Sequence, residues 1–583
     1  MPLKRLGGFL RRFLRHRRML FAGIACIPLV ALCDIRLTLW IGDALSRLQK
    51  RGDPAFLGRL FAMLLGVAAL QGCFRFLQRW WIVGVSRRVE MELKQELFEQ
   101  LCRLPLAYHV KSRSGDIVSR LTSDVENVRM LLGPGSMYVL GSLFMVPGSL
   151  FVLYRISPLV TVAMALPLFF VAIVMMVMTP RLQRLSGAVQ ESLADLSQRA
   201  QESFAGIRVV KGYGLAQHEV ARFTAASAEN RRHQLELARA RGLQDAWIHL
   251  SYDLAFLPIL VAGGWAMISS ALDVGDLFKF VDLGFKVFWP VIALGWIAGL
   301  YPRAVASAER IDEVLETRPS IVDPPRPREL ASVDGALTLN DVGFTYEDAP
   351  RPSLAGIRVS VPAGTTLGVV GPTGSGKSTL LNLLGRLFDA QGEIRLDGVP
   401  VRELTLDTLR GALAYVPQDS FLFSDTYRAN VEFGSERPLD DATVKELVDL
   451  ACMTNEVAAF PDGLEQLIGE RGVTLSGGQR QRTCIARALA RDPRVLILDD
   501  ALSAVDTETE ARLLVNLRTA GRGRTVVIAA HRLGSLRDAE QILVLREGRM
   551  EALGKHEDLL ARSSWYRETW ERQRMSAELE HED

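Results

Sequence analysis

The sequence predicts an α-helical polytopic membrane domain with about six long transmembrane helices, followed by an α/β P-loop domain. Two observations predict this division: apolar segments dominate the chain before about Pro302, and short β-rich segments alternate with helical ones after Gly335. The length of 583 residues exceeds what one core holds, and 49% hydrophobic residues is high for a soluble protein. We therefore expect two modules, of which the first lies in a membrane.

Residues 1–18 carry basic side chains and no acidic one. Phe9, Leu10, Phe13 and Leu14 interleave with these charges, which is typical of an amphipathic elbow helix on an anionic cytoplasmic leaflet. A solvated basic start is the alternative. Because no small-residue cleavage site follows a short apolar core, the segment does not have the pattern of a secretory signal.

Six segments approach the ~20 apolar residues that a membrane-spanning helix needs. Met130–Tyr154 and Ile156–Pro180 contain no ionisable side chain except tyrosine, and we expect them to form two helices joined by a very short outer turn. Four further candidates are each interrupted by charges or a histidine: Met19–Leu45, Phe56–Val85, Trp247–Leu272 and Asp276–Pro302. An even number of spans places both ends of the chain on one side.

The connectors Arg87–Arg129 and Arg181–Asp245 are highly charged, and with the basic start they favour a cytoplasmic location under the positive-inside tendency. They are longer than turns and have helical periodicity, so the second to fifth spans are expected to continue into the cytosol. This predicts a multi-pass protein of the cell (inner) membrane, embedded in the lipid bilayer, whose N-terminus and second module are cytoplasmic.

A proline-rich segment, Arg318–Arg328, separates the two modules, since its prolines cannot continue a helix and favour an extended linker. The alternation of strands and helices after it is typical of an α/β nucleotide-binding domain. The predicted organisation is an elbow helix over 1–18, a transmembrane domain over 19–317, a linker over 318–334, a nucleotide-binding domain over 335–575 and a charged tail over 576–583.

The composition argues against two other kinds of site. The six cysteines show no C-x-x-C spacing, so we interpret them as small core residues in a reducing compartment. The basic residues of the second module are neither clustered nor interleaved with stacking aromatics, so nucleic acid is not an expected partner.

Gly371–Ser378 reads GPTGSGKS, a match to the phosphate-binding loop, between a predicted strand Thr366–Val370 and a predicted helix Ser378–Leu387. In this context main-chain N–H groups wrap phosphates at a helix N-terminus, Lys377 neutralises phosphate oxygens and Ser378 ligates Mg²⁺. Asp499 ends a second buried strand and is the expected partner of Mg²⁺. The predicted ATP contacts of the loop are Gly371, Thr373, Gly374, Ser375, Gly376, Lys377, Ser378 and Thr379.

Leu475–Gln479 reads LSGGQ and opens a predicted helix, Ser476–Ala490. The hydroxyl and main-chain N–H groups there offer hydrogen-bond donors and a positive dipole end to an anion. The predicted contacts are Ser476, Gly477, Gly478 and Gln479. A structural cap would explain Ser-Gly-Gly alone, but not the position of LSGGQRQR between the phosphate loop and the aspartate strand.

The motif order GPTGSGKS, YVPQDSFLFSDT, LSGGQRQR, LILDD, SAVD and AAHR resembles the ATP-binding cassette of ABC transporters from Gly335 to about Arg572. The membrane half, with GDIVSRLTSDVENVR and QESFAGIRVVKGYG in its connectors, resembles exporter-type half-transporters. The resemblance implies a head-to-tail dimer in which each ATP lies between one chain's phosphate loop and the other chain's LSGGQ. It also implies adenine stacking by Tyr346, Mg²⁺ and water contacts by Gln418, a γ-phosphate contact by His531 and an interface role for Asp506.

Asp500 departs from the family pattern, which has glutamate at this position. Its carboxylate is one methylene shorter, so it stops ~1.5 Å short of a water that a catalytic base must reach within ≈ 2.6–3.2 Å. A misplacement of about 1 Å costs on the order of 10²-fold in rate. We expect a site that binds ATP well and hydrolyses it slowly.

Because LSGGQ is intact, the chain is equipped to serve a partner's ATP. The pattern predicts a heterodimer in which a second half-transporter carries the catalytic glutamate, with a slow homodimer as the alternative. It resembles the Asp-bearing subunit of bacterial heterodimeric multidrug exporters. Expected cargoes are amphipathic compounds: drugs, lipids or peptides. A homodimeric lipid floppase and an ATP-gated channel or regulatory subunit are the alternative functions.

Asp276, Lys279, Asp282 and Lys286 fall on one helical face with alternating charge. One hypothesis is that this stripe lines a translocation cavity, because charges in spans usually face a bundle interior or water. The alternative is that Asp276 and Lys279 lie at the outer headgroup level and that Asp282 and Lys286 are ion-paired for stability. Further charged residues in spans, Asp34, Arg36, Arg75 and Asp253, suggest a cavity that is not purely apolar.

Overall fold

The structure, a computed structural model, describes residues 2–50, 54–269, 271–330, 332–347, 349–469, 472, 474–520 and 523–582. Met1, Ala331 and Asp583, which belong to the predicted elbow helix, linker and tail, lie outside the described residues. The chain divides into two compact units. One comprises Met1–Arg103 with Ser112–Arg318, and the other Leu104–Lys111 with Pro319–Asp583.

The first unit is helical throughout. Its long helices are α1 (Pro2–Arg15), α2 (Arg17–Lys50), α3 (Pro54–Arg103), α7 (Ser136–Ile156), α8 (Pro158–Ala205), α10 (Ala216–Ile268) and α11 (Val274–Glu316). Short helices fill the connectors: α5 (Ser114–Ser119), α6 (Val125–Met130) and α9 (Ile207–Gly212), with π-helical turns at Arg120–Asp124 and Leu131–Gly135. The helix α4 (Leu106–Lys111) belongs to the second unit.

In the part of the chain that the structure describes, six helical stretches are long and apolar enough to cross a membrane, which confirms the predicted number of spans. The helices α3, α8 and α10 contain 50, 48 and 53 residues. At 1.5 Å per residue each is about 70–80 Å long, more than twice the ~30 Å hydrocarbon core. The turn between α7 and α8 is the single residue Ser157, as short as the sequence predicts.

The amphipathic helix α1 has its aromatic residues inside the protein. Phe9 and Phe13 are buried, and Phe13 lies in a cluster with Leu20, Val85 and Val89. Leu10 and Leu14 remain exposed. The phenylalanines of α1 therefore pack inside the first unit, while its leucines lie on the surface.

The helices α2 and α11 approach each other closely at Gly275. A Cβ atom there would overlap the main-chain oxygen of Gly42, so the approach requires a glycine. Lys279, which is buried, lies one turn further along α11 and donates to Asp43 at 2.6 Å and to Asp276 at 3.0 Å. The contact between the two helices is therefore both tight and charged.

The second unit contains two sheets. The strands are β1 (Leu337–Phe344), β2 (Leu354–Val361), β3 (Thr366–Val370), β4 (Gln391–Leu396), β5 (Val399–Pro400), β6 (Leu413–Val416), β7 (Val495–Asp499), β8 (Thr525–Ala529), β9 (Gln541–Arg546) and β10 (Arg549–Gly554). The helices are α12 (Lys377–Leu384), α13 (Leu406–Ala412), α14 (Tyr427–Glu432), α15 (Asp441–Leu450), α16 (Thr454–Ala459), α17 (Gly477–Leu489), α18 (Thr507–Ala520), α19 (His556–Arg562) and α20 (Ser564–Glu582).

An antiparallel sheet of order β2-β1-β4-β5 accompanies a six-stranded sheet of order β10-β9-β3-β8-β7-β6. In the larger sheet β9, β3, β8, β7 and β6 are parallel neighbours, with Leu367 beside Val527 and Asp499 beside Ala529. The carboxyl ends of parallel strands meet at one edge, where ligands of such sheets bind. The phosphate loop, Asp499 and His531 all follow strands that end there.

Candidate functional site

The phosphate loop connects β3 to α12. Gly376, at the N-cap of α12, has φ 99°, and a Cβ there would lie 2.7 Å from the main-chain oxygen of Ser353. Lys377 is buried, and its Nζ donates to the main-chain oxygens of Gly371 at 2.9 Å and Pro372 at 3.2 Å. Burial lowers the pKa of Lys377. The ammonium group therefore lies inside the loop, near the carboxylates of Asp500 and Asp499, and a bound phosphate would add further opposite charge.

Asp499, at the end of β7, is buried and accepts two hydrogen bonds. Ser378 Oγ donates to its Oδ1 at 3.0 Å, and Tyr415 Oη donates to its Oδ2 at 3.1 Å. Burial raises the pKa of Asp499, because a desolvated carboxylate is less stable as the anion. A nearby cation would stabilise the carboxylate anion and so lower the pKa of Asp499.

The residues present fit ATP with Mg²⁺. The hydroxyl of Ser375, inside the loop, is a buried oxygen that has no hydrogen-bond partner among the residues the structure describes. Ser378 and Asp499 offer a hydroxyl and a carboxylate side by side, and Mg²⁺ prefers oxygen ligands, typically one or two carboxylates together with substrate phosphates. Within the described residues no group of three or more His, Cys, Asp or Glu side chains is placed to hold a metal alone. A metal shared with phosphates suits this donor set.

A cavity of about 990 Å³ collects most of the predicted site residues. Its lining includes Thr373, Gly374, Ser375, Gly376, Lys377, Ser378, Thr379, Gln418, Asp499, Asp500 and His531. Gln418 comes two residues after β6, and His531 two residues after β8. Residues up to 158 positions apart, from Thr373 to His531, thus meet at one sheet edge.

Tyr346 lies beside this cavity. Its hydroxyl is 3.2 Å from Thr379 Oγ1, and its ring meets those of Phe344 and Phe388 edge-on at 4.8 and 5.5 Å. The adenine-stacking role stays a prediction, and the contact with Thr379 ties the ring to the phosphate loop.

Asp500 has φ 48°, a left-handed conformation that is uncommon outside glycine and that aspartate tolerates better than most residues. Its main-chain oxygen accepts from Gln481 Nε2 at 3.3 Å and from Ser503 Oγ at 2.9 Å. Gln481 Oε1 also accepts from the N–H of Ala504 at 2.9 Å. The turn that carries Asp500 is therefore held by the helix α17.

Tyr415 and Gln481 are site residues that the sequence reasoning missed. Tyr415 lies on β6, which pairs with the strand β7 that ends at Asp499. Gln481 lies two residues after the LSGGQ segment. The sequence offers one kind of signal for these two residues. Each has a polar group at a position where the periodicity of its strand or helix predicts a buried side chain. Their partners are set by the sheet order and by the helix-to-turn contact.

The LSGGQ residues do not line the 990 Å³ cavity. Ser476 caps α17, with its Oγ accepting from Gln479 N at 3.2 Å, and Gln479 Oε1 accepts from Ser476 N at 2.9 Å. Asp506 caps α18, with Oδ1 accepting from Thr509 N at 2.9 Å, and this main-chain hydrogen bond lowers the pKa of Asp506. Gly477, Gly478 and Asp506 likewise lie outside this cavity.

The charged stripe of α11 is ion-paired. Lys286 lies 2.8 Å from Asp282 and donates to Thr38 Oγ1 at 2.8 Å, while Lys279 bonds Asp43 and Asp276. A cavity of about 470 Å³ in the same unit is lined instead by residues that include Asp34 and Arg75. The stripe residues do not line this cavity, and Lys279 and Lys286 contact α2 through Asp43 and Thr38. The hypothesis that the stripe lines a translocation cavity stays a prediction.

Comparison with protein families supports the two-domain reading. The family model described as "ABC transporter transmembrane region" matches residues 20–291, and the one described as "ABC transporter" matches residues 354–503. A bacterial Atm1-family ABC exporter with ATP bound has a similar structure, with a TM-score of 0.78 and 27% identity over 96% of this chain and 98% of that one.

Curated relatives cover nearly the whole chain. The multidrug resistance-like ATP-binding protein MdlA of Escherichia coli strain K12 is 35% identical over 89% of this chain and 88% of its own length. The ATP-dependent lipid A-core flippase of Thiobacillus denitrificans is 33% identical over 94% of this chain and 95% of its own. The chain therefore belongs to the ABC transporter family, as an exporter half-transporter with fused transmembrane and ATP-binding domains.

Proposed function

We propose that the chain is one subunit of an exporter that moves amphipathic compounds out of the cytoplasm or the inner leaflet by alternating access. The observation that carries the proposal is the 990 Å³ cavity, where the phosphate loop, Asp499, Asp500 and His531 meet. The described residues of the same chain include six candidate spans and a cavity in the membrane unit that is lined by both polar and apolar groups. Drug-sized ligands usually bind in such cavities.

We infer the role of each residue in the nucleotide site from its contacts. Lys377 balances phosphate charge from within the loop, and Ser378 and Asp499 hold Mg²⁺, which when bound neutralises charge on the phosphate oxygens. Asp500 orients the attacking water, while Gln418 and His531 contact the nucleotide from the loops after β6 and β8, the strands on either side of β7. Ser476, Gly477, Gly478 and Gln479 serve the ATP of the partner subunit, which accords with their position away from the chain's own phosphate loop.

We further propose that the Asp500 site hydrolyses ATP slowly and that the partner is a second half-transporter with glutamate at this position. The support is the shorter aspartate side chain beside an intact LSGGQ segment. The left-handed backbone at Asp500 also suits aspartate better than glutamate.

ATPase measurements on the purified chain, alone and with a co-expressed half-transporter, test this proposal. Alone, the chain should turn over slowly, and Asp500→Glu should raise its rate on the order of 10-fold or more. Asp500→Asn is the matched control and should remove the residual rate of that site. Brisk turnover by the wild-type chain alone would sink the heterodimer proposal, as would a natural partner that itself has aspartate there.

A lipid floppase is the second candidate, favoured by the similarity to ATP-dependent lipid A-core flippases. Reconstitution into vesicles with a fluorescent lipid and, separately, a soluble amphipathic dye distinguishes the two. ATP-dependent movement of the lipid alone would support the floppase.

A further inference from the structure

The 470 Å³ cavity of the membrane unit has a polar wall and an aromatic wall. Helix α3 contributes Arg75, Gln78 and Arg79 to it, which share one helical face at i, i+3 and i+4. Tyr138 on α7 and Trp289 on α11 line the cavity too. A volume of this size falls in the range of drug-sized ligand sites, about 300–1,000 Å³.

The charges around the cavity do not cancel. Arg75 pairs with Asp34 at 3.1 Å, and Lys286 lies 2.8 Å from Asp282 and 3.9 Å from Asp34. These two cations and two acids balance. Among the residues that the structure describes, Arg79 has no acidic partner within 4.0 Å.

The cavity lies deep in the membrane unit. Asp34 is 17 residues after the start of α2 at Arg17 and 16 before its end at Lys50, which puts it about 25 Å from either end. An unbalanced guanidinium near such a depth is costly unless water or an opposite charge reaches it. Arg79 is exposed, so an opposite charge from outside the described chain can reach it.

We propose that this cavity binds an anionic amphipath, a compound with an aromatic or aliphatic body and one acidic group. Arg79, with Gln78 beside it, takes the acidic group in charge-assisted hydrogen bonds, and Tyr138 and Trp289 contact the body. Because Asp34 forms an ion pair with Arg75, Arg79 is the arginine of this face that binds the ligand. This inference deepens the proposed export function, on which it rests, by specifying the charge of the cargo.

The test compares three fluorescent probes that share one ring: anthracene-9-carboxylate, its methyl ester and 9-(aminomethyl)anthracene. Their binding to the full-length chain is titrated in nanodiscs of phosphatidylcholine. For the wild type we expect the carboxylate to bind about 10-fold more tightly than the ester, a ratio equivalent to about 1.4 kcal/mol. The ammonium probe should bind more weakly than the ester.

Three variants test whether Arg79 causes the preference for the carboxylate probe over the ester. In Arg79→Gln the carboxylate and the ester should bind within about twofold of each other, while Arg79→Lys, which keeps the charge, should retain most of the preference. Arg36→Gln is the matched control, since it removes an exposed arginine of α2 that does not line the cavity. It should leave the ratio unchanged.

Competition identifies the source of the anion. Displacement of the probe by lysophosphatidic acid, but not by lysophosphatidylcholine, would point to a lipid cargo, and displacement only by soluble organic anions to a drug-like one; both support the site. Tighter binding of the ammonium probe, or a preference that persists in Arg79→Gln, would overturn it. ATPase activity of the same nanodiscs is measured in parallel, so that a failure of the export function is seen separately from a failure of binding.

Discussion

Gln573, on the C-terminal helix α20, donates from Nε2 to the main-chain oxygen of His531 at 2.8 Å. Its Oε1 accepts from the N–H of Leu533 at 2.9 Å, so a single amide spans the turn that carries His531. That turn also lines the proposed nucleotide cavity. The position of a residue proposed to contact the γ-phosphate therefore depends on the last helix of the chain.

Replacement of Gln573 by alanine is expected to slow ATP hydrolysis by about 2- to 10-fold, because each neutral hydrogen bond is worth about 0.5–1.5 kcal/mol. ATP binding, followed with a fluorescent analogue, should change little. Gln573→Glu is the matched control: it keeps an acceptor for Leu533 but cannot donate to His531, so it separates the two contacts. Full activity in both variants would show that the turn needs no support.

Tyr415→Phe is expected to raise the Mg²⁺ concentration needed for half-maximal ATPase activity about 10-fold or more. The reason is that Tyr415 holds the Oδ2 atom of Asp499, and partners that orient a metal ligand typically contribute 10–100-fold to metal affinity. A magnesium titration of the ATPase rate measures this. Nucleotide binding without magnesium serves as the control and should be unaffected. An unchanged magnesium titration would show that Tyr415 does not contribute to Mg²⁺ binding.

Lys279→Met should lower the stability of the membrane unit by about 1–3 kcal/mol, since Asp276 and Asp43 would lose their shared cation near a close helix contact. The exposure of Asp43 limits the loss. Retention of monodisperse protein after heating, followed by size-exclusion chromatography, reports the effect. The double variant Lys279→Met with Asp276→Asn should recover part of it, and no recovery would contradict an ion-pair role.

His556 makes the fold of the C-terminal segment sensitive to acid. It is buried between Tyr566, whose hydroxyl is 2.8 Å from Nδ1, and the ring of Trp570 at 4.5 Å. Burial lowers the pKa of His556, with a further contribution from Arg537. The stabilisation by the neutral ring is present above the ordinary imidazole pKa of ~6.5 and is lost as pH falls through the lower folded-state value.

The midpoint of thermal unfolding, followed by tryptophan fluorescence, should therefore fall more between pH 7.5 and pH 5.5 in the wild type than in His556→Gln. The expected difference is about 2–4 °C, the shift that 1 kcal/mol produces in a domain of this size. Equal pH dependence in the two proteins would mean that His556 does not titrate in this range.

Local sequence signals predicted the membrane spans and several of the strands and helices that carry the nucleotide-binding motifs. The strands Thr366–Val370 and Thr525–Ala529 have the predicted bounds. The helix after the phosphate loop ends at Leu384 rather than Leu387, since Gly385 caps it and Arg386 is left-handed at φ 50°. A C-terminal glycine is a signal that the sequence does contain.

The sequence alone determined the two-module organisation, the six spans and the nucleotide-binding motifs, because hydropathy and glycine-rich spacing are local properties of the chain. Tertiary structure decided which distant groups meet. The order of strands brings Tyr415 and Ser378 to Asp499. Helix packing pairs Lys279 with Asp43 and Arg75 with Asp34, and leaves Arg79 in the membrane cavity without an acid among the described residues. Charge balance depends on distances between helices, which no linear pattern records.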